Sequence, residues 1–277
     1  MVGLVVTTIA DPFLGEVVDG IEKRALKQDF SVLLSNCRSD PQQELATIRL
    51  FKERRVDGIL IISGATSMIA LEELRNIEIP IVLINNLNPV QADQDIYTIS
   101  IDNFRAARTA VGHLTSLGHQ RIAYVTDETG GHSNQDRMGG YRVALLEAEL
   151  PFLPQLVVEG DGTAEGGMVG VKRLLADRKN SFTALFCYND ESAIGALKAL
   201  KQSALRVPED VSVVGVDDIF VSPYIDLTTV RQPKFQMGGM AMEMMLKLIK
   251  EEGIVSSIRV GGELVVRGTT CPPLTDH

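Results

Sequence analysis

Residues 213–233 read VVGVDDIFVSPYIDLTTVRQP. An apolar strand runs straight into two adjacent carboxylates, Asp217 and Asp218, and the chain then crosses to a second strand-like piece, Leu227–Val230. Paired acids at such a place leave three readings open: chemistry, ligand binding, or capping of the next turn. No His, Cys or Lys stands beside them within the stretch to make chemistry. Asp217 follows directly on a strand of valines and one glycine, and a carboxylate at that depth needs a partner. A ligand hydroxyl or a bound cation such as an arginine would serve. Asp218 is read as bonding backbone amides of its own loop.

Working outward, short apolar runs alternate with longer helical patterns along almost the whole chain. Strands are predicted at Gly3–Ile9, Ser31–Ser35, Gly58–Ser63, Ile81–Asn85, Tyr97–Ile101, Arg121–Thr126, Leu156–Glu159, Ala184–Cys187, Val211–Val216, Leu227–Val230 and Leu264–Thr269. Helices are predicted near 14–28, 41–54, 67–76, 103–117, 137–149, 164–177, 190–202 and 235–252. Alternation on this scale implies an α/β fold with parallel sheets covered on both faces. Asp40 with Pro41 and Gln43 reads as a helix start, and Asp102, Thr163 and Asp190 sit at similar hand-overs. Gly118 and Gly253 read as stops.

The totals bound the class. At 277 residues the chain allows roughly two domains at about 150 residues each. Apolar content of 45% and charged content of 23% are those of an ordinary globular protein. The net charge of −9, with no run of basic residues, argues against this chain binding nucleic acid unaided. No stretch approaches the roughly 20 apolar residues of a membrane span. The start, MVGLVVTTIADPF, reads as a first strand and not as a signal peptide, which favours the cytoplasm. Cys37, Cys187 and Cys271 are far apart and lack metal-like spacing, as befits a reducing compartment. None of the four histidines pairs at the spacing of a metal helix, so neither metal nor cofactor is expected.

In open α/β sheets ligands bind beyond the carboxyl ends of the strands. The exits to consider are therefore ADPFL (10–14), NN (85–86), DN (102–103), HSNQDR (132–137), GDGTAE (160–165), ND (189–190) and DD (217–218). Their carboxylates, amides, Ser133 and Arg137 suit the hydrogen bonds of a polar, multi-hydroxyl or heterocyclic small molecule. They hold no plausible nucleophile–base pair, because His132 has no obvious partner. EGDGTAEGG misses the dinucleotide pattern G-x-G-x-x-G at its last position, Glu165, and reads as a flexible turn. Asp190 is read as a helix N-cap, and Asp102 as either a cap or a ligand contact. Arg137 is read as opening a helix against the local dipole, so a carboxylate or a ligand oxygen must compensate it. Phe13 is core or a stacking face, and the Met-rich helix 237–250 is a core or interface helix.

The stretches DPFLGEVVDGIE, DPQQELATIRLFKERRVDGILI, HLTSLGHQRIAYV, RMGGYRVAL, YNDESAIGALKAL, LRVPEDVSVVGVDDI, LTTVRQP and ELVVRGTT resemble the effector-binding core of LacI/GalR-family transcription regulators. The resemblance covers nearly the whole chain, and LRVPEDVSVVGVDD followed by LTTVRQP carries most of its specificity. It implies the type I periplasmic-binding-protein architecture: two Rossmann-like subdomains joined by three crossovers, with a ligand in the cleft. The expected subdomains are 1–101 with 233–256, and 102–232 with 257–277. It also implies that Arg137 and Asp217 grip effector hydroxyls or ring nitrogens, with Phe13, Asn85, Ser133 and Asn189 at further pocket positions. Asp11, Leu14, Asp102, Gly162 and Phe220 are further candidate ligand-binding positions. Leu14 and Gly162 fall where the family often has aromatics, which leaves Phe13, with Phe220 or Tyr188, as the stacking surface. The implied partners are a sugar-like or nucleobase-like effector and a second copy of the chain, with helices 41–54 and 67–76 as candidate dimer faces. Operator DNA would be reached only through a helix-turn-helix head that these residues do not contain. The rival expectation is a secreted sugar-binding protein of the same fold.

Overall fold

Five consecutive buried residues, Val2–Val6, form strand β1, and an unbroken apolar run of this kind belongs to a parallel strand covered on both faces. The structure is a computed structural model that describes residues 1–38, 40–62, 79–85, 96–128, 131–177, 180–253 and 256–274. Contacts divide the chain into two units, residues 1–101 with 233–260, and residues 102–232 with 261–277.

In the first unit, β1 is followed by α1 (Leu14–Leu26), β2 (Val32–Asn36), α2 (Pro41–Glu53), β3 (Gly58–Ile62), β4 (Ile81–Ile84) and β5 (Ile96–Ile101). The chain later returns as α7 (Lys234–Ile249) and β11 (Ile258–Val260). The sheet order is β11-β5-β4-β3-β1-β2, with every pairing parallel. Successive side chains alternate between faces. Leu4 and Val6 thus join α1 and α7 in one core layer, while Val5 joins Ile48 and Phe51 of α2 in the other. Each large apolar side chain buried in this way contributes about 1.5–3 kcal/mol. Gly20 and Gly238 let α1 and α7 touch backbone to backbone: a Cβ on either would overlap a carbonyl of the other helix. That contact explains why the Met-rich helix tolerates a Gly-Gly pair, and Met237, Met242 and Met245 are fully buried beside it.

The second unit contains α3 (Asn103–Ser116), β6 (Ile122–Val125), α4 (Gly131–Glu147), β7 (Val157–Val158), α5 (Ala164–Ala176), β8 (Ala184–Cys187), α6 (Asp190–Gln202), β9 (Ser212–Asp217), β10 (Thr228–Arg231) and β12 (Glu263–Val265). Its order is β12-β10-β9-β8-β6-β7, parallel except that β12 runs antiparallel to β10. The fold is therefore α/β with two mostly parallel sheets, as the alternating pattern implies.

Several boundaries differ from the sequence expectation. β1 stops at Val6, because Thr8 turns the chain by accepting from the Ala10 and Asp11 amides at 3.3 and 3.4 Å. The last strand shrinks to Glu263–Val265, since Thr269 leaves the ladder to bond the Val213 carbonyl and the Thr228 amide. β11 was not expected at all, and α4 begins at Gly131, six residues before Arg137. The expected helix 67–76 lies outside the described residues.

Candidate functional site

The end of β9 is held in an unusual backbone path. Asp217 has φ +118° and Asp218 φ +52°, and non-glycine residues in such regions cost on the order of 1–3 kcal/mol unless their surroundings hold them there. Asp218 is held by two arginines, accepting from Arg231 Nε and Arg267 Nη2 at 2.7 Å each. It thus pairs with two arginine side chains distant in sequence, partners that the sequence reading did not name. Asp217 is 8% exposed and faces Arg137, with Oδ1 and Nη2 3.6 Å apart.

Arg137 is 4% exposed and lies in the second turn of α4, not at its first residue. The penalty at a helix N-terminus therefore does not arise. Burial is the difficulty instead, and the surroundings answer it with acceptors. Nε donates to Asn103 Oδ1 at 2.8 Å, and Nη1 donates to the Tyr188 carbonyl. The guanidinium also lies over the Tyr188 ring, 4.3 Å from its centroid. Burial pushes the Tyr188 phenol up and the Arg137 charge opposes that, while Ser133 hydrogen-bonds the phenol. Arg137 is thereby fixed in plane with one edge turned to Asp217, separated by more than a hydrogen bond.

Asp190 has a different role from the cap expected of it. Asn189 is the N-cap of α6, accepting from the Ser192 amide at 2.8 Å, and its Nδ2 donates to the Gly162 carbonyl at 2.9 Å. Asp190 is the first helical residue and is fully buried. It accepts from the Ile219 amide at 3.1 Å and from the hydroxyls of Ser222 and Thr229 at 2.5 Å each. Gly215 leaves the room: a Cβ there would overlap the Asp190 carboxylate. Burial raises the Asp190 pKa to about 6, and the three donors pull the other way. The carboxylate ties the loop after β9 to the start of α6.

The remaining expected residues divide between the units. In the second, Ser133, Arg137, Tyr188 and Asp217 come together, and Asn189 and Gly162 are joined by their hydrogen bond. Gly162 has φ +77°, so the aromatic residue expected by resemblance would be strained there. Asp102 caps α3, accepting from the Arg105 amide at 2.9 Å. Phe220 stands apart, 76% exposed and packed on Tyr224 at 5.4 Å between ring centroids. In the first unit, Phe13 and Leu14 belong to the apolar core. Asp11 accepts from the Phe13 amide at 2.8 Å, and burial raises its pKa. Asn85 takes φ +56° with a buried Oδ1 that has no hydrogen-bond partner. Asn86 lies outside the described residues.

Sequence reasoning held Asn103 only as part of the exit DN (102–103), without a role, and missed Gln232. Asn103 orients Arg137 through Oδ1, while its buried Nδ2 has no partner. Gln232 is 1% exposed, its amide N–H reaches the Asp217 carbonyl at 3.4 Å, and both polar atoms of its side chain are buried without a partner. The signal for Gln232 was present: an amide placed directly after an apolar strand and before a proline.

In the second unit the Arg137 guanidinium, carried by α4, faces the Asp217 carboxylate at the end of β9, and groups of this class suit hydrogen bonds to a small polar molecule. Among the described residues, no group of three His, Cys, Asp or Glu could hold a metal. Comparison with known proteins agrees with that class. The family of periplasmic binding protein-like domains matches residues 111–270. The HTH-type transcriptional repressor CytR of Escherichia coli K12 is 35% identical over 271 residues, covering 96% of this chain and 78% of CytR. The crystal structure of the transcription regulator CcpA of Lactococcus lactis has a TM-score of 0.89 at 28% identity, covering 97% of this chain and 98% of that one. A LacI family regulator from Enterococcus faecium with bound ribose has a TM-score of 0.86 at 30% identity, with 98% of each chain covered. The chain belongs to the periplasmic-binding-protein-like family, as the effector-binding core of a LacI/GalR-type regulator.

Proposed function

We propose that the chain senses an uncharged, hydroxyl-rich small molecule of the sugar class and passes that signal to a transcriptional repressor. The observation that carries this reading is the Arg137–Asp217 pair, held 3.6 Å apart beside amide atoms of Asn103 and Gln232 that have no partner. A planar guanidinium offers donors in a fixed fork and the carboxylate only accepts, so together they match hydroxyls that both donate and accept. The two charges cancel, which favours a neutral ligand over a phosphate ester. Ribose bound in the Enterococcus faecium relative supports the same class.

In this reading effector binding biases the regulator between two hinge states. Coupling of about 1–3 kcal/mol is typical of such switches, and one charge-assisted hydrogen bond made in a single state supplies roughly 1.5–3 kcal/mol. Operator contact belongs to a helix-turn-helix segment outside these 277 residues, and the cytoplasm is the compartment the function requires. No helix among the described residues is long and apolar enough to cross a membrane. A thermal-shift screen against sugars, sugar phosphates and nucleobases tests the proposal. A neutral compound that raises the unfolding temperature more than its phosphate ester is the expected result. Stabilisation by phosphate esters alone, or by nothing in the screen, would contradict it.

A further inference from the structure

The second unit carries a cavity that plays no part in the site described above. It has a volume of about 590 Å³ and opens beside β7, the last strand of the sheet. Met138, Val157 and Val158 contribute apolar surface to it, and Phe152 forms a wall. Arg142 of α4 lies over the Phe152 ring, 4.5 Å from its centroid, and Arg173 of α5 reaches the Glu159 carbonyl at a long 3.4 Å. Neither guanidinium has a carboxylate partner among the described residues, whereas Arg108, Arg206, Arg231 and Arg267 of the same unit each hold one. An arginine has five N–H donors in a planar fork that suits a carboxylate. The Glu159 side chain at the same cavity offsets one of the two positive charges, so one is left uncompensated. The volume lies within the roughly 300–1,000 Å³ of small-molecule sites.

We propose that this cavity is a second ligand site, for a small organic monocarboxylate with an apolar, aromatic body. The carboxylate meets Arg142 and Arg173, and the body lies on Phe152, Met138 and the β7 valines. The site is formed entirely by the second unit and does not depend on the effector reading of Arg137 and Asp217.

Benzoate is the probe, titrated into the 277-residue chain while the Met138 methyl resonance is followed by NMR and assigned with Met138→Leu. The expected result is a saturable shift, with the neutral isostere benzamide binding at least about tenfold more weakly. Arg142→Gln and Arg173→Gln, both on exposed side chains, should each weaken benzoate by about tenfold or more. A Met138 signal unmoved up to roughly 10 mM benzoate would overturn the proposal. So would equal binding of benzamide or of inorganic phosphate, or wild-type affinity in both variants.

Discussion

His119 sits buried with Thr183 on Nδ1 and with Ser212 and the Cys271 carbonyl on Nε2. A carbonyl can only accept, so Nε2 carries a proton, and in the neutral ring Nδ1 accepts from the threonine hydroxyl. Burial lowers its pKa below the usual 6.5; the Cys271 bond raises it in part, and nearby His113 lowers it further. A base with a depressed native pKa contributes stability that is complete above the unfolded value and lost as pH falls below it. The His119 imidazole should therefore titrate below pH 6.5 by NMR, and a midpoint at or above that value would contradict the burial assigned here. Overall stability is a poorer readout, because Asp190, with its pKa raised to about 6, gains on acidification over the same range. At this scale the sequence was informative where one residue type decides the matter. Asp217 was legible as a carboxylate in need of a partner, whereas the need read for Arg137 rested on a helix start that lies six residues earlier. Asp190 was not legible, since two capping residues in succession leave the true cap open and only Gly215, distant in the chain, betrays the buried carboxylate.

Between elements, Asp190 is the tie that fixes the β9–β10 connection to α6. Replacing it with alanine leaves the Ile219 amide and the Ser222 and Thr229 hydroxyls buried without their acceptor. Unsatisfied donors of this kind cost about 1–3 kcal/mol apiece, and partial relaxation makes a net loss of roughly 2–4 kcal/mol the expected outcome. Urea unfolding of Asp190→Ala would measure it, and a loss well under about 1 kcal/mol would show that the loop holds itself. The parallel strands were readable because burial on both faces turns them into continuous apolar runs, as in Gly58–Ile62 and Ile81–Ile84. The edges were not. β11 and β12 are three residues each and gain their pairing from strands far away in sequence, Ile96–Ile101 and Thr228–Arg231. The start of α4 was missed because its first turn, Gly131–Asn134, is polar and carries no apolar period.

For the molecule as a whole, exposed apolar side chains gather at one place on the second unit. Phe220, Val221 and Tyr224 cluster on the second unit, with Phe220 76% and Tyr224 74% exposed, and apolar surface gathered in this way marks interaction sites. Of the helices proposed as dimer faces from sequence, α2 keeps Leu50 exposed and the other lies outside the described residues. The proposed sensing role rests above all on Arg137 and Asp217 gripping the effector together. The direct test is isothermal titration calorimetry with the compound that most stabilises the wild type, applied to Arg137→Lys and Asp217→Asn after circular dichroism has shown native folds. Loss of roughly 1.5–3 kcal/mol of binding energy in each variant, about ten- to a hundredfold in affinity, is the predicted result. Wild-type affinity in both would contradict the account.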